Sequence, residues 1–244
     1  ATLTTPSRVT TEAREGTAQG TLLALYPHQW KEDTTALTDL SYASPRGPMR
    51  VVEGDRFTTE LTTHGILPSL PTVDSADDQR LRALIDAELH ASDPWKGASD
   101  TYWTGKALGR LAQLVPIADS IGYTAGRDAL LDLLKNKMED WLTADGPGDN
   151  AQFYYDDQWD TLIGFPASFG SNTELNDHDF HYGYFVTAAA TIARYDRAWI
   201  GEDRWGPMVE TVLRDANNPD RDDSRFPWLR SFSPYAGHGW ASGH

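Results

Sequence analysis

The sequence predicts a mainly α fold with an N-terminal β part, on the strength of two textures that change over near residue 75. Up to about residue 71, Thr-rich and Val-rich runs are broken by Gly, Pro and Asp; from Ser75 onward apolar residues recur every three to four positions. The helical stripes are joined by aromatic, Gly-rich and Asp-rich loops, the pattern of an α/α toroid whose inner ring carries a groove at one mouth. About five helices are legible where a six-hairpin toroid needs roughly twelve, so an incomplete barrel with some uncovered apolar surface is expected.

In chain order, residues 21–26, 49–52 and 57–63 read as strands between turn signals. Some five strands of this kind suffice for part of a sandwich or an edge sheet and are few for a closed one. The cluster YPHQW at 26–30 reads as a packing corner at a strand end. Leu81, Leu84, Ile85 and Leu89 mark a first helix capped by Ser75 or Asp77, and Asp93-Pro94-Trp95-Lys96-Gly97 breaks it. Leu108, Leu111, Ala112 and Val115 mark a second, which Pro116 should kink or stop early. Leu130, Leu134, Met138, Trp141 and Leu142 form the stripe of a third, after Thr124. The loop at 146–150 then leads into two short strands around a polar tip, FYYDDQWDTLIGFP. Trp205, Met208, Val209, Val212 and Leu213 give a last amphipathic helix before an irregular tail.

Composition narrows the class of partner. Against 36 Asp and Glu stand 21 Lys and Arg, a formal charge of -15, which argues against nucleic acid as the main partner. No apolar run approaches the roughly 20 residues of a membrane span. There is no cysteine, so disulfide frameworks and thiolate metal sites are excluded. Nine Trp, ten Tyr and eight Phe among 244 residues suit a sugar ligand, held by flat rings flanked by carboxylates and amides. The chain opens on Ala1 with neither an initiator Met nor a signal segment, and reads as an excised piece.

Chemistry is densest at 176–184, NDHDFHYGY, which packs two carboxylates, two imidazoles and three aromatic rings into nine residues. If Asn176 caps a helix running on through FVTAAATIARYD, Asp177 and His181 share a face, with His178 and Tyr182 beside them as candidate substrate-binding residues. Acid, proton shuttle and stacking surface then occupy one turn. Tyr155, Asp156 and Trp159 at the hairpin tip are candidate groove residues, Trp159 as a stacking plane and Asp156 as an acceptor for sugar hydroxyls. His238 and Trp240 in the tail, and Trp103 with Lys106 at a helix start, are further candidates.

Several long motifs in the same order resemble glycoside hydrolase family 81, the endo-β-1,3-glucanases. They are ALYPHQW, YWTGKALGRLAQLVPIAD, Tyr154-Tyr155-Asp156 with Trp159, NDHDFHYGYF, RFPWLR and PYAGHGWASG, and they cover essentially the whole chain. The resemblance implies the end of a β-sandwich at 1–74, a small linking segment at 75–98 and the N-terminal part of an (α/α)6 catalytic barrel at 99–244. It implies a secreted enzyme that cleaves internal β-1,3-glucosidic bonds of glucans such as laminarin or curdlan with inversion, without a cofactor or metal. Asp177 matches the family's general acid and His181 the histidine four residues later. The base lies in a two-glutamate segment a short way beyond the WASG motif, so the rest of the same polypeptide would complete the site, and these residues alone should not turn over glucan. The sequence departs from the usual motif at Asp179, Ser233 and Gly239.

Inverting hydrolysis requires a protonated carboxyl at the leaving oxygen and a second carboxylate roughly 6.5–9.5 Å away for the water. A first-turn position favours the charged form of Asp177, so burial among Phe180, Tyr182 and Tyr184, with Glu174 and Asp179 nearby, has to oppose it. His181 would orient Asp177 or keep it protonated through a hydrogen bond. Two other readings fit the residues: a hydrolase holding a metal on Asp177, His178, His181 and His238, and a non-catalytic carbohydrate-binding module.

Overall fold

The computed structural model describes residues 3–16, 20–33, 35–65 and 75–240. The chain divides into two compact units, residues 1–67 with 233–238 and residues 68–232 with 239–244. The expected boundary at residue 74 lies outside the described residues.

The first unit contains the β part. Strands β1 (Leu3–Thr10) and β5 (Arg56–Thr63) pair antiparallel along their whole length. Strands β2 (Thr21–Leu25), β3 (Ser41–Ser44) and β4 (Gly47–Gly54) form an antiparallel sheet in the order β2-β4-β3. Leu23, Leu25, Val52 and Phe57 make its small core. The cluster at 26–30 is not a bare corner: Pro27–Trp30 is one turn of helix, α1, entered through Pro27, and the Gln29 side chain accepts from the Tyr26 N–H at 2.8 Å. Tyr235 explains why 233–238 belongs here, since its ring meets Phe57 edge-on and its carbonyl accepts from Gln29 Nε2 at 3.0 Å.

The second unit is helical. A 3-10 turn at Ser75–Asp77 precedes α2 (Asp78–Leu89), whose N-cap is Asp77, one of the two expected residues, with no capping bond from its side chain. Helix α3 (Thr101–Ser120) is capped by Asp100, whose Oδ1 accepts from the N–H groups of Tyr102 and Trp103, both at 2.9 Å. It does not stop at Pro116, because that residue is buried in the final turns, where the missing N–H removes a single bond from a well-packed helix. Helix α4 (Thr124–Leu142) buries Leu130, Leu134, Met138 and Trp141, the predicted stripe. Strands β6 (Gln152–Asp156) and β7 (Thr161–Phe165) form the predicted hairpin. Helices α5 (His178–Tyr195) and α6 (Gly206–Asn217) follow.

Two glycines one helical turn apart let α3 approach α5. A β-carbon at Gly109 would lie 2.9 Å from Tyr184 Cδ1, and one at Gly105 would lie 3.1 Å from the His181 carbonyl oxygen. This close contact brings the start of α3 against the first turns of α5, where the candidate residues are gathered. Among the described residues no helix is long and apolar enough to cross a membrane.

Candidate active site

Asp177, not Asn176, is the N-cap of α5, and its backbone is left-handed (φ 56°). An ordinary cap would spend a carboxylate oxygen on an N–H of the first turn. Asp177 makes no such bond; only its carbonyl is used, accepting from Phe180 N at 3.1 Å and His181 N at 2.7 Å. Its carboxyl is half-buried and uncommitted to the helix. The Asn176 amide turns back to Glu174 Oε2 at 3.2 Å.

The segment ahead of α5 is tightly determined. Phe169, Leu175 and Asp177 all have positive φ, each at a cost of order 1–3 kcal/mol that the surroundings must offset. The Gly170 carbonyl gathers the N–H groups of Thr173, Glu174 and Asn176. Just past Asp177, the imidazole of His178 is held at both nitrogens, with Nε2 2.6 Å from the Ser171 carbonyl oxygen and Nδ1 2.7 Å from Asp215 Oδ2.

Two expected sugar-contacting residues are thereby corrected. His178 and Tyr182 are fully buried. The Tyr182 hydroxyl donates to the Leu162 carbonyl and accepts from Gly164 N, both at 3.0 Å, and burial pushes its phenol far above the usual tyrosine range. Both side chains fix α5 to its neighbours. Tyr182 and Tyr184 are likewise engaged in helix packing, the first against Phe153 and His178 and the second against Gly105 and Gly109.

His181 is buried, with Nδ1 2.9 Å from Thr101 Oγ1 and Nε2 without a hydrogen-bond partner among the described residues. Its expected hydrogen bond to Asp177 is replaced by the one to Thr101. Burial lowers its pKa, against the opposing pull of Asp177 and Asp100, so a neutral imidazole is favoured. Around it stands an aromatic wall that the sequence did not single out as a unit. Tyr102 contacts His181, Phe169 and Phe180 at centroid distances of 5.3, 4.9 and 5.9 Å, and Phe169 and Phe180 are about half exposed. Trp103 and Lys106 flank this wall, Lys106 Nζ lying 5.4 Å from the Tyr102 ring and 5.2 Å from Trp103.

Asp179, two residues further on, feels the Asp177 charge. Desolvation raises its pKa, Phe180 N opposes the shift, and the Asp177 charge adds to it. It borders a mostly apolar cavity of about 210 Å³ with Leu213, Leu229 and Phe232. A β-carbon at Gly239 would lie 3.2 Å from Asp179 Oδ2, so two of the three departures from the family motif meet in space.

The hairpin-tip residues divide by exposure. Asp156 Oδ1 accepts from Gln158 N and Trp159 N and is occupied in shaping the turn. The Tyr155 hydroxyl donates to the Arg225 carbonyl at 2.7 Å while its ring stays partly open. Trp159 is 67% exposed and is the tip's available flat surface. His238 is exposed and falls in the first unit; Trp240, also exposed, falls in the second. Among the described residues no three His, Cys, Asp or Glu side chains gather as metal ligands, and His178 has both ring nitrogens engaged elsewhere.

The glycosyl hydrolase family 81 C-terminal domain matches residues 72–244, and the chain belongs to this family. It is 96% identical over its whole length to the glucan endo-1,3-beta-D-glucosidase of Thermobifida fusca (strain YX), covering 32% of that protein. It is 48% identical to the protein of the same name from Acetivibrio thermocellus, covering all of this chain and 31% of the relative. A solved structure of a glycoside hydrolase family 81 protein from Clostridium thermocellum, a glutamate-to-alanine variant, superimposes with a TM-score of 0.84 at 46% identity, over 100% of this chain and 34% of that one. The chain therefore spans about a third of the length of these relatives, and its mixture of helices and strands matches the family's structure.

Proposed function

We propose that this chain supplies the proton-donating part of an inverting endo-β-1,3-glucanase that acts on laminarin-type or curdlan-type glucan. The observation that carries this reading is the carboxyl of Asp177, which stands at a helix N-cap and makes no capping bond. A residue kept there only to cap would not leave the first-turn N–H groups to other partners while holding a left-handed backbone. In this role Asp177 protonates the departing glycosidic oxygen. His181, favoured neutral, lies close enough to feel the Asp177 charge and presents an Nε2 without a hydrogen-bond partner among the described residues. The aromatic wall of Tyr102, Phe169 and Phe180, with Trp159 on the hairpin, supplies stacking surface for glucose rings.

On the same reading the base is a glutamate outside these 244 residues, the remainder of the polypeptide completes an (α/α)6 barrel begun at 99–244, and 75–98 links it to the end of a β-sandwich at 1–74. The names of the relatives in Thermobifida fusca and Acetivibrio thermocellus support the activity, and the family resemblance supports an extracellular location. The test is Asp177→Asn in the full-length polypeptide. Laminarin hydrolysis should fall by about 10²–10⁴-fold while laminarin binding, measured by calorimetry, is retained. Undiminished hydrolysis would remove Asp177 from the role; binding with no hydrolysis in either protein would favour the carbohydrate-binding module.

A further inference from the structure

We propose that Asp215, on α6, is the positioning residue for Asp177, doing through His178 what a capping side chain does at an ordinary helix start; this rests on the reading of Asp177 as the proton donor. No side-chain bond ties Asp177 to α5, so its carboxyl is placed by what holds the backbone on either side of it. The residue that follows is His178, the first of α5, and its Nδ1 lies 2.7 Å from Asp215 Oδ2. The second oxygen of Asp215 is fully used as well, accepting from Leu162 N at 2.7 Å, Thr161 Oγ1 at 2.9 Å and Arg230 Nη2 at 2.6 Å. Arg230 Nε donates to the Asp215 carbonyl at 2.8 Å, and the Arg230 backbone is left-handed (φ 38°).

One carboxylate thus joins α6, the head of α5, β7 and the stretch around Arg230. Asp215 and His178 are both completely buried. A charge removed from water is tolerated only when its lone pairs are engaged, and of the four bonds that engage this carboxylate one goes to the residue beside Asp177 rather than to an indifferent point along the helix. A general acid displaced by about 1 Å loses on the order of 10²-fold in rate, so rigidity here has a catalytic consequence.

The experiment uses the full-length polypeptide and two substrates: laminarin, whose leaving group needs a proton, and a 2,4-dinitrophenyl β-1,3-gluco-oligosaccharide, whose leaving group does not. Asp215→Asn should lower kcat on laminarin by about 10²-fold with KM nearly unchanged, while the activated substrate is spared. Asp177→Asn, run in parallel, should show the same selectivity more strongly. If Asp177→Asn impairs laminarin hydrolysis but folded Asp215→Asn retains wild-type kcat, or loses equally on both substrates, the positioning role is overturned and the donor assignment stands. If Asp177→Asn is harmless, the donor assignment fails and this inference fails with it. Should Asp215→Asn not fold, His178→Gln, which keeps an amide donor at that position, is judged by the same ratio of the two substrates.

Discussion

Thr101 Oγ1 lies 2.9 Å from His181 Nδ1 in the protein interior, and the opposite nitrogen of that imidazole has no partner among the described residues. Burial depresses the His181 pKa below its ordinary 6.5, outweighing the attraction of Asp177. The unfolded chain therefore binds a proton at higher pH than the folded one. Stability from this residue is complete above about pH 6.5 and is lost as pH falls through the lower, folded value. His28 is depressed too, chiefly by burial and then by Arg46, so the informative quantity is a difference. Urea unfolding at about pH 7.5 and pH 5.5 should show a smaller loss of stability on acidification in His181→Gln than in the wild type. Parallel losses would mean that the buried imidazole does not titrate in this window.

Asp179 behaves in the opposite sense. Its folded pKa is raised by desolvation and, after the opposing Phe180 N–H, by the charge of Asp177. The ionised form is therefore disfavoured in the folded state, a cost that appears as pH rises through the folded value and is absent below the ordinary 3.8. Asp179→Asn should raise stability at pH 7 by up to about 1 kcal/mol after allowance for solvent screening, with the gain vanishing near pH 3. Urea unfolding of this variant and of the wild type at about pH 7 and pH 3 measures the difference. A gain of equal size at both pH values would show that the disfavoured charge of Asp179 is not its cause.

What sequence could and could not reveal follows from where each signal resides. The stripes of α4 and α6 and the polar-tipped hairpin were legible because periodicity and turn residues are local properties. The N-cap was misplaced by one residue, since Asn176 and Asp177 have equal capping chemistry and only the left-handed backbone at 177 separates them. His178 and Tyr182 looked like groove residues because a polar or aromatic side chain carries no local mark of burial; their partners, Asp215 and Leu162, lie 37 and 20 residues away. One signal for Asp215 was available: it falls beside Val212 and Ala216 on the buried face of α6, where an unpaired carboxylate would be untenable. The wall formed by Tyr102, Phe169 and Phe180 required three segments to meet and had no counterpart in any single motif.

Trp159 offers a clean separation of binding from folding. Its ring is 67% exposed at the hairpin tip, and its backbone N–H rather than its ring serves the turn, through Asp156. Trp159→Ala should change stability by no more than about 0.5 kcal/mol. In the full-length polypeptide it should raise KM for laminarin several-fold with little change in kcat, the signature of lost ground-state stacking. An unaltered KM would assign the ring to solvent.

The contact between α3 and α5 yields a prediction whose sign runs against helix propensity. Replacing a glycine inside a helix by alanine ordinarily stabilises it by about 1 kcal/mol. At Gly109 the added carbon would lie 2.9 Å from Tyr184 Cδ1, closer than real side chains tolerate, so the ring or the helix must shift. At Gly183, inside α5, the added carbon meets nothing within 4 Å. Gly183→Ala should therefore be stabilising, whereas Gly109→Ala should be destabilising by about 1–3 kcal/mol through overpacking. Urea denaturation of both variants measures the contrast directly. The shift forced by Gly109→Ala also separates the helices that carry Thr101 and His181, so their 2.9 Å hydrogen bond should weaken with it. Stabilisation of both variants alike would mean that the helices stand farther apart than this contact requires, and that the buried imidazole is held by its own helix alone.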